Sequence, residues 1–224
     1  MNSRKKIAII IAVVVIAIFI VAGGLIFYKY QIKSNAFVVN QLMQISSAAT
    51  MNDSQQKNYN DVKNRLLTNP ADYKALFDLA GLKQGLGDEA GAIELYEKLH
   101  QEKPEDILPL NNLGSIYFNQ KKYQQAEQMY LTILAITPKW LNSYNELYSL
   151  YQFFLKDKKN DYEKIILNGI EKYPEQRQNM LSKAAVYYDE IMNNKAKAIE
   201  YYEKLLKLIP GDTQIKDRIK QLKS

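Results

Sequence analysis

Few side chains in this sequence have a type and spacing that could perform chemistry. There is no cysteine, and the single histidine, His100, has no metal-ligating partner at ligand spacing, so we interpret it as a surface residue. Adjacent acids occur at Asp88-Glu89, Glu105-Asp106 and Asp189-Glu190. The first two pairs lie where helices should begin, and acids there favour the helix dipole. We therefore expect no catalytic residue, no metal, no cofactor and no enzymatic activity.

The composition is that of a folded chain and not of a nucleic-acid-binding one. Of the 224 residues, 47% are hydrophobic and 17 are tyrosines, which gives ample surface to bury. The formal net charge is +6, but residues 30–224 carry 26 basic against 24 acidic side chains, a net charge of +2. Proteins that bind nucleic acids need a strongly basic surface, so we expect no nucleic acid partner.

One apolar segment is long enough to cross a lipid bilayer. Residues 7–28 read IAIIIAVVVIAIFIVAGGLIFY and contain no charged or amide side chain. As a helix they would span about 33 Å, close to the thickness of the hydrocarbon core. A cleaved signal peptide is the alternative, but signal-peptide apolar regions are only about 7–15 residues long. We therefore predict a single transmembrane helix that anchors the chain.

Basic residues on the two sides of this segment predict its orientation. Three lie at positions 4–6, directly before it, whereas Lys29 and Lys33 follow it. The positive-inside rule then favours a cytoplasmic N-terminal tail at residues 1–6. We expect the rest of the chain, from residue 30 to 224, to lie outside the cytoplasmic membrane.

The remainder of the chain is repetitive, as its prolines show. Five of the six prolines lie at positions 70, 104, 138, 174 and 210, at intervals of 34, 34, 36 and 36 residues. Twelve residues before the last four prolines stand Ala92, Ala126, Tyr162 and Ala198. Each interval also holds two apolar patterns at helical spacing. Since proline stops a helix, each interval predicts two helices that end at a proline.

This order of large, small, aromatic, alanine and proline positions resembles the tetratricopeptide repeat family, whose unit has 34 residues. The resemblance covers residues 71–210 as four units, and residues 57–70 look like the second helix of a degenerate fifth. It implies an all-α solenoid of stacked antiparallel helix pairs, because one pair cannot bury both of its faces. We expect residues 29–56 to form a linker, in which residues 37–45 could continue the membrane helix. Residues 211–224 should form a polar-faced capping helix.

Some positions are distinctive within the repeat pattern. Gly114 and Ala126 are small residues, which predicts a close contact between two helices of the second unit. Lys83 replaces the first-helix aromatic of the first unit, and Tyr148 and Tyr162 replace small residues of the third. We therefore expect the third unit to pack more loosely or at a different angle. Its turn at residues 156–161 should absorb the two extra residues of the longer interval. Trp140, at a repeat junction, is interpreted as a buried residue.

The resemblance also implies a binding groove on the concave side, lined by first helices. The predicted groove residues are Lys74, Phe77, Asn111, Asn112, Ser115, Phe118, Asn119, Asn142, Asn145, Ser149, Gln152 and Phe153, to which the fourth unit would add Ser182, Asp189 and Glu190. Amides can pair with an extended peptide backbone, and phenylalanines offer apolar pockets. The alternative is that these side chains form only a solvated helix face.

The sequence as a whole predicts a membrane-tethered scaffold that binds a protein or peptide partner. Its place would be a bacterial cytoplasmic membrane, in the manner of anchored repeat proteins that serve secretion or envelope assembly. Two alternatives remain open. One is a membrane-tethered enzyme that uses carboxylates on the repeats, and the other is a purely structural tether that associates with itself.

Overall fold

The computed structural model of the chain describes residues 22–25, 29, 35–45 and 51–224. All regular secondary structure in these ranges is helical. Within them, no helix is both long enough and apolar enough to cross a membrane. The predicted anchor at residues 7–28 lies outside the described residues except for 22–25, and the predicted cytoplasmic tail at 1–6 lies outside them entirely.

Eleven α-helices of nine residues or more follow one another in the described ranges. They are α1 (35–45), α2 (Asp53–Thr68), α3 (Tyr73–Gly85), α4 (Glu89–Glu102), α5 (Ile107–Asn119), α6 (Tyr123–Ile136), α7 (Leu141–Ser149), α8 (Lys159–Lys172), α9 (Arg177–Val186), α10 (Lys195–Leu208) and α11 (Thr213–Lys223). Two of them, α7 and α9, continue into π-helical turns at Leu150–Phe154 and Tyr187–Ile191. The chain forms two compact units that divide after Leu95, within α4.

Polar side chains define where several of these helices begin. Asn52 accepts a hydrogen bond from the Gln55 amide, and the Gln55 side chain accepts one from the Asn52 amide, so the two form a capping box. This box starts α2 at Asp53, four residues before the predicted start at Lys57. Aspartate side chains cap four other helices: Asp72 for α3, Asp88 for α4, Asp106 for α5 and Asp212 for α11.

Helices α1 and α2 of the N-terminal unit pack together as a pair. Val38, Leu42 and Ile45 of α1 are buried, and the hydroxyl of Tyr59 on α2 donates to the carbonyl oxygen of Leu42 at 3.3 Å. The helix predicted for residues 37–45 is therefore present, but it packs against α2 instead of lying in a spacer. Its apolar side chains recur at i, i+4 and i+7, which places them on one face of a helix that packs against the protein.

Lys83 occupies a fully buried position at the end of α3. Its ammonium group lies 2.5 Å from Asp88 Oδ2 and donates to Gln44 Oε1 of α1 at 3.3 Å. Burial pushes the pKa of Asp88 upward, but the Lys83 contact and the Gly91 amide lower it by more and hold it below its usual value. The lysine that replaces an aromatic residue therefore keeps a compensated charge and bonds to α1.

Close packing in the C-terminal unit depends on Gly114 of α5. A Cβ atom at this position would lie 2.7 Å from the ring of Tyr130 on α6, a side chain that is buried. The predicted close contact at Gly114 is therefore present, and the atoms nearest to the glycine belong to the Tyr130 ring. Ala126, on the same helix as Tyr130, is fully buried.

The two longer intervals are accommodated mainly by the π-helical turns. Helix α7 with its π turn spans residues 141–154, which is 14 residues, and α9 with its π turn spans residues 177–191, which is 15 residues. The corresponding helix of the second repeat, α5, has 13 residues. The wider hydrogen bonds run from the Leu155 amide to the Leu150 carbonyl and from Met192 to Tyr187. The prediction that the turn at 156–161 absorbs both extra residues of the third unit is therefore wrong.

Tyrosines fill the space between α7 and α8. Tyr162 is fully buried, donates to the Tyr144 carbonyl oxygen at 2.9 Å, and meets the rings of Tyr148 and Tyr187 edge-on. Gly169 leaves room for this arrangement, since a Cβ there would lie 3.1 Å from the Tyr144 hydroxyl. Around Tyr162, aromatic edge-to-face contacts therefore take the place of the usual small residue.

Candidate partner-binding face

The twelve predicted groove residues all lie on first helices, and none of them is buried. Lys74 and Phe77 lie on α3 in the N-terminal unit. The other ten lie in the C-terminal unit, on α5, on α7 and on the π turn that continues α7. The C-terminal unit therefore holds most of the predicted groove.

An amide row joins successive first helices of this unit. The side-chain nitrogen of Asn142 on α7 donates to Asn111 Oδ1 on α5 at 3.3 Å. The ammonium group of Lys183 on α9 donates to Asn145 Oδ1 on α7. Asn111 and Asn145 occupy equivalent positions, 34 residues apart. Each therefore has its oxygen paired with the next helix, while its amide nitrogen offers two further donors at the surface.

Some of the predicted polar residues bond within their own helix instead. The Asn112 side chain donates to the Leu108 carbonyl oxygen at 2.9 Å. The Ser149 hydroxyl donates to the backbone carbonyl oxygen of Asn145 at 3.1 Å. Lys74 pairs with Asp78 at 2.9 Å. These contacts lie within single helices and do not join one helix to the next. The amide row between helices therefore consists of Asn111, Asn142 and Asn145.

Lys183 was not among the predicted residues, yet it lies beside this row. It lines a cavity of about 210 Å³ together with Asn145, Tyr148, Tyr162, Ser182 and Val186. Burial lowers the pKa of its ammonium group. Within the described part of the chain, no carboxylate lies within ion-pair distance of it. The sequence signal was weak, because a lone lysine on a helix is usually solvated.

The two acids predicted for the fourth unit are already engaged. Arg218 of α11 donates to both carboxylate oxygens of Asp189, each at 2.7 Å, and the Tyr202 hydroxyl donates to the same group. The Asp189 side chain is only 6% exposed. Glu190 accepts from the Tyr148 hydroxyl at 2.6 Å. Asp189 is therefore a structural contact for the last helix and is not accessible to a partner.

Two other acids form matching contacts at consecutive repeat junctions. Glu127 accepts from the Tyr151 hydroxyl at 2.7 Å and from the Lys158 ammonium group at 2.6 Å. One unit later, Glu163 accepts from the Tyr188 hydroxyl and from Lys197. The hydrogen bonds from Lys197 and Tyr188 lower the pKa of Glu163. Both carboxylates thus have a cationic partner and a hydroxyl donor, as structural groups usually do.

His100 and Trp140 do not have the surroundings that the sequence suggested. His100 is half-buried, and its Nδ1 atom is buried without a hydrogen-bond partner among the described residues. It lines a cavity of about 380 Å³ that also includes Glu97, Tyr117 and Thr132. The described residues contain no group of three His, Asp or Glu side chains that could hold a metal ion. Trp140 is 36% exposed, so its assignment as a buried residue is wrong.

Comparison with known proteins agrees with this helix-pair architecture. Residues 82–151 and 180–212 each match a tetratricopeptide repeat family. Two stretches of the chain are therefore similar to tetratricopeptide repeats. No curated protein matches it in sequence.

Several solved structures resemble this repeat chain. A tetratricopeptide repeat protein from Parabacteroides merdae ATCC 43184 has 16% identity and a TM-score of 0.53, covering 85% of this chain and 72% of that protein. A MamA protein has 24% identity and a TM-score of 0.48, covering 67% of this chain and 80% of that protein. MamA from Desulfovibrio magneticus RS-1 has 15% identity and a TM-score of 0.45, covering 73% and 99%. At these identities the similarity concerns the fold.

Proposed function

We propose that this repeat protein is a scaffold that binds a protein or peptide partner along the amide row of α5, α7 and α9. The observation that carries the proposal is the linkage of Asn111 to Asn142 and of Asn145 to Lys183. These bonds fix the amide oxygens of Asn111 and Asn145 and leave their amide nitrogens as donors on two successive first helices. A peptide backbone in extended conformation presents carbonyl oxygens at regular intervals that such donors can bind.

The ion pairs formed by acidic side chains favour a binding role over a catalytic one. An enzyme that used repeat carboxylates would need two of them to converge without compensation. Three of the buried or half-buried acids, Glu127, Glu163 and Asp189, each pair with a lysine or arginine, whereas burial alone raises the pKa of the half-buried Glu146. We therefore propose that the chain has no enzymatic activity.

The proposal includes a membrane tether. It rests on the 22 apolar residues at 7–28 and on the basic cluster at 4–6. With the N-terminus inside, the repeats would face the outside of the cytoplasmic membrane. Partners would then be found among secretion or envelope-assembly proteins, which a tethered scaffold can hold near the bilayer.

The experiment is a binding measurement on a partner identified by crosslinking in the native membrane. The double variant Asn111→Ala, Asn145→Ala should weaken binding about 10-fold or more, because each lost amide contact costs roughly 1 kcal/mol or more. The matched control is Gln125→Ala, Gln128→Ala, which removes two exposed amides from the second helix α6. A groove variant that binds as tightly as the wild type would refute the proposal.

A further inference from the structure

Four aromatic side chains form an exposed cluster at one end of α5 and α7. Tyr123 and Phe154 stack at a centroid distance of 4.2 Å, and Phe118 meets both rings edge-on at 5.7 and 5.3 Å. Phe153 contacts Phe154 at 6.2 Å. Phe153 is 58% exposed and Phe154 is 42% exposed. Grouped apolar side chains left open to water are uncommon on a monomer and mark interaction surfaces.

The π-helical turn at Leu150–Phe154 is what brings this cluster together. The turn ends with the Leu155 amide bonded to the Leu150 carbonyl oxygen at 2.7 Å, and Leu155 itself is buried. Phe154, at the last position of the turn, therefore points back onto Tyr123 at the start of α6. Extra residues that form a π turn in a helix often lie at functional sites.

Three lysines adjoin the cluster in sequence. Lys121 and Lys122 directly precede Tyr123, and Lys156 follows the π turn; all three are exposed. In the described part of the chain none of them forms an ion pair, although Lys122 lies 6.0 Å from the centre of the Tyr117 ring. The acid nearest in sequence is Asp157, and Glu127 is already neutralised by Lys158. The residues that adjoin the rings in sequence therefore carry a net positive charge.

We propose that this aromatic and lysine patch, made of Phe118, Tyr123, Phe153, Phe154, Lys121, Lys122 and Lys156, binds an acidic peptide segment that carries an aromatic or aliphatic anchor residue. The anchor side chain would cover the exposed surfaces of Phe153 and Phe154. Carboxylates beside the anchor would pair with the lysines and meet the ring edges, which carry the positive part of the aromatic quadrupole.

A peptide fits the patch better than a nucleic acid does. Tyr123 and Phe154 cover one face of each other, and Phe118 contacts both rings, which leaves less aromatic surface to stack on bases. The net charge of residues 30–224 is only +2, whereas nucleic acid binding needs a larger basic surface. This inference names the chemistry of the partner and rests on the proposed function only in taking that partner to be a peptide.

The test uses the full-length chain and a fluorescent peptide rich in Asp and Glu with one Phe and one Leu. Two matched peptides have the acids replaced by amides, or the Phe and Leu replaced by Ala, and a single-stranded oligonucleotide serves as a third probe. We expect the acidic peptide to bind at least 10-fold more tightly than either matched peptide, and added salt to weaken it. The variants Phe154→Ala and Lys121→Gln, Lys156→Gln should each reduce its affinity about 5-fold or more.

Control variants separate the patch from other surfaces. Lys216→Gln, Lys220→Gln removes two exposed lysines of α11, and Trp140→Ala removes an exposed aromatic elsewhere; both should bind as the wild type does. Phe153→Ala, at the most exposed ring, tests the anchor contact if Phe154→Ala fails to fold. Equal binding of the acidic and amide peptides, unchanged binding by the patch variants, or preferential binding of the oligonucleotide would each overturn the proposal. Binding lost in Asn111→Ala, Asn145→Ala but kept in the patch variants would also overturn it while leaving the amide row intact.

Discussion

Gly114 shows how one residue limits the packing of this fold. The ring of Tyr130 covers it so closely that a methyl group would lie 2.7 Å from a ring carbon. The tyrosine is buried, so neither side chain nor helix can move aside without disturbing neighbours. The identity of this glycine is therefore set by its partner ring and not by backbone conformation.

At the residue scale we predict that Gly114→Ala lowers the free energy of unfolding by about 1–3 kcal/mol, through overpacking against Tyr130. Thermal melting of the full-length chain, followed by circular dichroism, measures the effect. Gly85→Ala is the matched control, because a Cβ atom added at Gly85 would meet nothing within 4 Å and alanine favours a helix. The cost should shrink in the double variant Gly114→Ala, Tyr130→Leu. Additive losses would show that the ring is not the cause.

At the element scale, the last helix is held by an ion pair as well as by its apolar face. Ile215, Ile219 and Leu222 of α11 are buried, and Arg218 reaches from the same helix to Asp189. Asp189 lies in the π turn that extends α9. The π turn that extends α9 thus supplies the carboxylate to which the capping helix α11 is attached.

We predict that Arg218→Ala destabilises the C-terminal end of the chain by about 1–3 kcal/mol, because it leaves a nearly buried carboxylate without its main partner. Urea unfolding gives the free energy, and amide hydrogen exchange should show faster exchange in α11 than in α6. Lys220→Ala, on the exposed side of the same helix, should change neither measurement. If both variants behave alike, the apolar face alone holds α11.

At the scale of the whole molecule, the proposed tether makes a prediction about the side of the membrane on which the repeats lie. The chain contains no cysteine, so a single introduced thiol reports its own location without background. Ser224 is exposed and follows the last helix, which makes it a suitable site.

We predict that Ser224→Cys reacts with a membrane-impermeant thiol reagent in intact cells, because the basic cluster at residues 4–6 keeps the N-terminus inside. A cysteine placed at Ser3 is the control and should react only after the membrane is permeabilised. The reverse pattern would place the repeats in the cytoplasm. A shorter product on a gel would instead reveal a cleaved signal peptide.

Local sequence patterns were sufficient to predict the helix pairs of the repeats. Proline intervals and the recurring Ala92, Ala126 and Ala198 depend on local rules, namely that proline stops a helix and that small residues allow close contact. The same rules led to the capping helix, since Asp212 and the spacing of its apolar residues lie within one short segment.

Which side chains meet across these helices depends on long-range packing. Lys83 with Gln44, Lys183 with Asn145, and Arg218 with Asp189 are pairs separated by 39, 38 and 29 residues, so no local pattern indicates them. The aromatic and lysine patch depends on a π turn, whose one additional residue looks like part of a longer loop in sequence. Local periodicity sets where helices form, whereas the positions of long polar and aromatic side chains depend on how those helices pack.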